Sequence, residues 1–197
     1  MSGIRIRTNR TNRPSIRTLV AIMAVAAVPV GAVAVPAVAG TSTSAACSTA
    51  WGSLPEASSF RGTGTLTNVR TGRHDCFDRV VFDVKGAPSW FRVEYVKSIG
   101  TVGQGLPVPL RGGAKLQIVL SVPSYDDEGH STYNPANPKE LSNVTGYRTF
   151  RQLATAGSFE GETTIGLGVR ARLPFRVFTV AGPGTTNRIV VDVAHTW

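Results

Sequence analysis

Asp78-Arg79-Val80-Val81-Phe82-Asp83-Val84 is the stretch whose reading decides the fold. At period two, Val80, Phe82 and Val84 face one way, and Arg79, Val81 and Asp83 face the other. That alternation belongs to a β-strand lying on a core. The same word returns as Asn187-Arg188-Ile189-Val190-Val191-Asp192-Val193, with Ile189, Val191 and Val193 at the inward parity. The echo has two readings, a trace of duplication or pseudo-symmetry, or the ordinary resemblance of two good strands. On either reading these two stretches are core strands.

Outward from them the chain keeps the same grammar. Thr65–Arg70 reads as a short strand, turned at Thr71-Gly72-Arg73-His74 into the principal strand Cys76–Lys85. Phe91, Val93 and Tyr95 alternate with Arg92, Glu94 and Val96. Leu116, Ile118, Leu120 and Val122 alternate with Lys115, Gln117, Val119 and Ser121. Strands resume at Phe150–Ala154 and Ile165–Leu173, and Pro174 separates the latter from Phe175–Val180. Leu106–Leu110 carries Pro107 and Pro109, which lack a ladder donor, so it reads as an edge segment or loop. No stretch after residue 39 sustains a 3.6-residue period, and turn signals recur every 8–15 residues or so. The fold class is all-β, a single domain of two antiparallel sheets packed face to face.

The N-terminus reads as a secretory signal over residues 1–39. Arg5, Arg7, Arg10, Arg13 and Arg17 precede an apolar run from Leu19 to Ala39, and Ala37-Val38-Ala39 fits a small-x-small cleavage site. Residues 40–60 then read as an extended arm with Trp51 and Phe60 as anchors, and residues 61–197 as the domain. Five arginines of the +9 chain charge belong to the signal. From Gly40 onward 16 Lys and Arg stand against 12 Asp and Glu, a net of +4. That balance is too mild to indicate a nucleic-acid partner, although it suits an anionic wall polymer. Cys47 and Cys76 are the only cysteines. In an exported chain they suggest a disulfide closing a loop of about 30 residues, worth about 3 kcal/mol in the chain-entropy account. The competing reading lipidates Cys47 after Ser44-Ala45-Ala46, which would tie the chain to a membrane and leave Cys76 alone. The two readings exclude each other.

Catalytic signals are weak. His74, His130 and His195 lack metal-ligand spacing, and no His-Glu-x-x-His, Gly-x-Ser-x-Gly or phosphate-loop motif occurs. Asp126-Asp127-Glu128 lacks the alternating ligands of a calcium loop. The sequence therefore indicates no catalytic residue, no metal and no cofactor. The polar connection Ser124–Gly146 is longer than most loops in a compact domain, and such loops are usually functional or disordered. Tyr125 and Tyr133 in it, with Arg170 and Arg172 at the outward parity of their strand, are the candidate glycan-contacting residues. Aromatic rings stack on sugar faces, and guanidinium forks match carboxylates.

Several motifs occur in a fixed order: Asp78-Arg79-Val80-Val81-Phe82, Gly113-Ala114-Lys115-Leu116-Gln117-Ile118-Val119-Leu120, Ser158-Phe159-Glu160-Gly161, Ile165-Gly166-Leu167-Gly168-Val169, Pro174-Phe175-Arg176-Val177-Phe178 and Arg188-Ile189-Val190-Val191-Asp192-Val193. In this order they resemble the AMIN-like domain family of exported bacterial proteins and lipoproteins, over about residues 60–197. The resemblance implies a β-sandwich related to the AMIN domain, which helps localise cell-wall amidases and secretin-type proteins and is associated with peptidoglycan. For this chain it implies a secreted, non-catalytic envelope module with peptidoglycan or an associated wall polymer as partner. The alternatives are an interaction module for another exported protein, through the Leu106–Leu110 edge, and an unrecognised cell-wall hydrolase.

Overall fold

The structure is a computed structural model that describes residues 47, 50–59, 62–88 and 90–197. The signal peptide and Phe60 lie outside the described residues. Among the described residues nine strands alternate with turns: β1 (Glu56–Ser59), β2 (Gly64–Arg73), β3 (Phe77–Gly86), β4 (Trp90–Val96), β5 (Ala114–Leu120), β6 (Phe150–Phe159), β7 (Glu162–Val169), β8 (Phe175–Ala181) and β9 (Thr186–Ala194). They form two antiparallel sheets, β1-β4-β5-β7-β6 and β2-β3-β9-β8. Val80, Phe82 and Val84 of β3 and Ile189, Val191 and Val193 of β9 are fully buried, sharing one core with Leu116, Ile118, Ile165 and Leu167 of the facing sheet. The sandwich and its inward parity are as the alternation predicts.

The two echoed words are direct neighbours. β3 and β9 pair antiparallel with Arg79 opposite Asp192, Val81 opposite Val190 and Asp83 opposite Arg188. Arg and Asp stand four residues apart in each word, so reversing one against the other sets each Arg beside an Asp. The repeat is thus a local two-fold complementarity across one ladder, where opposite charges on facing residues are favourable.

An open sandwich leaves two sides to close, and two irregular segments do it. The N-terminal arm closes the side of β4 and β8. Cys47 is joined to Cys76 in a disulfide, which leaves no thiol there for a lipid. Past it, Gly52 O accepts from Phe175 N at 2.8 Å, and the Glu56 carboxylate accepts from Val177 N at 2.9 Å. The first two outward N–H groups of edge strand β8 are so satisfied, and the arm continues as β1 on the edge of the other sheet. The opposite side is closed by the long β5–β6 connection. Pro138 O and Lys139 O accept from Thr155 N and the Gln152 amide of β6, while Pro123 O accepts from Leu66 N of β2 and Thr132 Oγ1 donates to Leu66 O. Its length serves to cross from one edge strand to the other.

Of its two readings, edge segment or loop, Leu106–Leu110 is a loop, and Leu110 lies over the outer face of β7. A Cβ at Gly166 would stand 2.7 Å from Leu110 Cδ1, and one at Gly168 would stand 2.0 Å from Arg111 O, so only glycine admits this cover. β7 stops at Val169 rather than running to Leu173: Arg170 N still bonds to Thr149 O at 2.8 Å, but Thr149 N goes to Asp78 Oδ2 at 2.6 Å, and the ladder ends there.

Candidate functional site

Pairing sorts the charges along the long axis of the sandwich. Arg70 and Arg188 meet Asp83, Arg79 and Arg176 meet Asp192, Arg92 meets Glu94, and Arg111 meets Glu140. The Arg111 hydrogen bond holds the Glu140 carboxyl below the usual glutamate range. Among the described residues, Arg73, Arg148, Arg151, Arg170 and Arg172 have no carboxylate partner. All five sit where β2, β7 and β9 end and β6 and β8 begin. Asp127, Glu128, Glu160 and Glu162, none of them in an ion pair with a lysine or arginine, lie at the other end, while Asp75 stays at the basic end. There the Tyr125 hydroxyl accepts from Gly161 N at 3.0 Å and ties the acidic loop to the β6–β7 turn.

At the basic end a recess of about 500 Å³ opens between Arg73, His74, Asp75 and Arg148, with Asp78 and His195 at its floor. Asp78 has inward parity on β3 and is fully buried. Its Oδ2 accepts from Thr149 N at 2.6 Å and Phe150 N at 3.0 Å, and its Oδ1 faces His195 Nε2 at 3.1 Å. His195 Nδ1 faces Asp75 O, also at 3.1 Å. Each ring nitrogen therefore faces an oxygen. A buried carboxylate needs such partners. The same cluster positions the rim. Arg148 directly precedes the two amides that Asp78 holds, and Arg170 donates to His195 O at 2.6 Å. Gly146, with φ of 78°, takes a left-handed turn, and a Cβ there would stand 3.6 Å from the Arg73 guanidinium.

The fold, the order of its motifs and the profile match now converge: the AMIN-like domain profile matches residues 64–195. The chain belongs to the AMIN-like domain family. No curated protein and no solved structure matches it. Among its described residues no helix is long and apolar enough to cross a membrane.

This AMIN-like domain does not bring the four candidate glycan residues together. Arg170 and Arg172 lie at the basic end. Arg172 stacks 5.1 Å over Tyr95 and bonds to Ser53 O at 2.7 Å, with Trp197 donating to Arg172 O at 3.1 Å. Tyr125 lies at the far end of β7, a strand of eight residues or roughly 25 Å. Tyr133 packs against the core, and burial pushes its hydroxyl pKa up. Sequence reading missed Arg73, Arg148 and the Asp78–His195 pair. The available signal was Asp78 itself, an acid at the inward parity of the best strand. Asp126, Glu128 and His130 offer three donors within 4.8 Å of one another, on an exposed loop where Asp126 already accepts from His130 N at 2.7 Å.

Proposed function

We propose that this AMIN-like domain is a secreted, non-catalytic module that holds to the cell envelope by its basic end, with peptidoglycan or an associated wall polymer as ligand. The observation that carries the reading is the gathering of Arg73, Arg148, Arg151, Arg170 and Arg172, all without carboxylate partners among the described residues, around one end of a sandwich whose other described arginines are paired. Guanidinium groups gathered without carboxylate partners suit a polymer bearing carboxylates. Family membership supports an envelope setting. Of the four residues singled out in the sequence, Arg170 and Arg172 belong to this end, and Tyr125 and Tyr133 would contact only a ligand that spans the molecule.

The test is co-sedimentation of the exported, disulfide-bonded protein with protein-free peptidoglycan sacculi, at low salt and at ~0.5 M, where screening shortens to a few ångströms. Retention that survives salt and is competed by soluble muropeptides is the expected result. Arg170→Ala with Arg172→Ala should weaken it more than Tyr125→Ala with Tyr133→Ala. Retention lost with salt reduces the reading to ionic adhesion. No retention at either salt transfers it to an exported protein as partner.

A further inference from the structure

The recess at the basic end holds charges of both signs that do not meet. Six arginines elsewhere in the described chain reach a carboxylate within 3.4 Å. Arg73, Arg148 and Asp75 line one recess, yet the Asp75 carboxylate has no partner among the described residues. The backbone explains the separation. The Asp75 carbonyl, not its carboxylate, accepts from Arg148 at 3.5 Å and faces His195 Nδ1, and the Arg73 guanidinium stands 6.0 Å over the Tyr147 ring. His74 is stacked on Phe77 at 4.4 Å, which fixes one wall. The floor is saturated, since both Asp78 oxygens are engaged.

A bare anion here would leave Asp75 unpaired and repelled. A bare cation would meet two guanidinium groups. A group carrying both charges satisfies all three side chains, the carboxylate taken by the arginine forks and the ammonium by Asp75. The recess volume of about 500 Å³ falls in the range of small-molecule sites.

We infer that this recess binds a zwitterionic amino-acid end-group, an α-carboxylate with a nearby ammonium, presented by a free amino acid or by the end of a short peptide. As a contact with the peptide portion of a wall polymer, the inference rests on the envelope-binding reading above. The chemistry of the recess does not.

The experiment is an amide-NMR titration of the exported, disulfide-bonded protein with alanylalanine, its N-acetyl form and its C-terminal amide, alongside free alanine and a muropeptide. Saturable shifts at Gly146 and His195 are expected with the free dipeptide in the millimolar range, and either blocked form should bind about tenfold more weakly. Arg73→Gln and Arg148→Gln, both at exposed positions, should abolish the shifts. Asp75→Asn should make the free and N-acetyl dipeptides equal, a result that loss of folding would not produce. No saturable shift by about 10 mM with any probe, or affinity indifferent to both blocks, overturns the inference. Tighter binding of the muropeptide than of alanine identifies the wall as the source, and the reverse identifies a free solute. Sacculi retained without dipeptide binding sink the recess and spare the envelope reading. Dipeptide binding without sacculi does the opposite.

Discussion

Asp192 and Asp83 hold the same place in the same seven-residue word, yet they live in different surroundings. Each faces an arginine across the β3–β9 ladder, Arg79 for one and Arg188 for the other. Each meets a second arginine from the next strand, Arg176 on β8 and Arg70 on β2. The Asp192 side chain is 0% exposed and that of Asp83 is 23% exposed. What differs is the cover. Trp51 arrives with the N-terminal arm to lie 4.3 Å from the Arg176 guanidinium, and Phe77 and Phe178 flank Arg79 at 5.2 and 5.5 Å. Among the described residues no aromatic ring lies over an arginine of the Asp83 cluster. The comparison teaches that a charge pair takes its energetic meaning from whatever segment covers it. A covered carboxylate cannot lose its partners without stranding charge, while an exposed one exchanges them for water.

The largest effect should come from removing what holds the cover. Cys47→Ser with Cys76→Ser frees the arm and is expected to lower the unfolding free energy by about 3 kcal/mol, read from urea melts. The same change should bring Asp192 closer to Asp83 in behaviour. A double-mutant cycle checks it: the penalty of Asp192→Asn should shrink in the clamp-free background, and that of Asp83→Asn should not. Equal penalties in both backgrounds would break the argument that the arm makes the difference.

Next in size is the contrast itself. Asp192→Asn should cost about 2–3 kcal/mol, below the figure for a fully buried pair because both guanidinium groups keep some water. Asp83→Asn should cost less than about 1 kcal/mol. Only the second penalty should fade as salt rises, since screening acts on exposed charges.

Much of this was legible in the chain and some was not, for definable reasons. Strand parity at Val80, Phe82 and Val84 carries the sandwich, because a half-buried strand must alternate. Cys47 and Cys76 were legible as a pair because an exported chain tolerates few other fates for two thiols. The mutual pairing of the echoed words was not, since periodicity says which face a residue takes and nothing about its neighbour strand. By length alone the connection from Ser124 to Gly146 reads as a functional or disordered loop. Its hydrogen bonds to Leu66, Gln152 and Thr155 depend on which edges lie open, a property of topology. The recess depends on Asp78 meeting His195 from a strand 117 residues away. No local pattern encodes that distance.

The smallest effect tests the same idea on the arm's own acid. In Asp83 the hydrogen bond from Arg70 dominates and lowers the carboxyl pKa, with burial opposing. In Glu56 burial dominates and raises it, against the hydrogen bond from Val177 N. The signs of their pH dependence therefore oppose. A depressed folded pKa stabilises the fold above the unfolded value of about 4, and that contribution is lost as pH falls through the folded value. A raised folded pKa works the other way. Glu56 penalises the fold when ionised, and the penalty is relieved as pH falls from its folded value towards about 4.3. Glu56→Gln keeps an acceptor for Val177 N and removes the charge. It should be neutral or stabilising at pH 7, by no more than about 0.5 kcal/mol since water still screens the site. Its advantage should vanish by pH 4, whereas the Asp83→Asn deficit should still be present at about pH 4 and fade only below it. A Glu56→Gln difference that stays flat from pH 4 to pH 7 in urea melts would mean that the arm covers Asp192 without drying its own carboxylate.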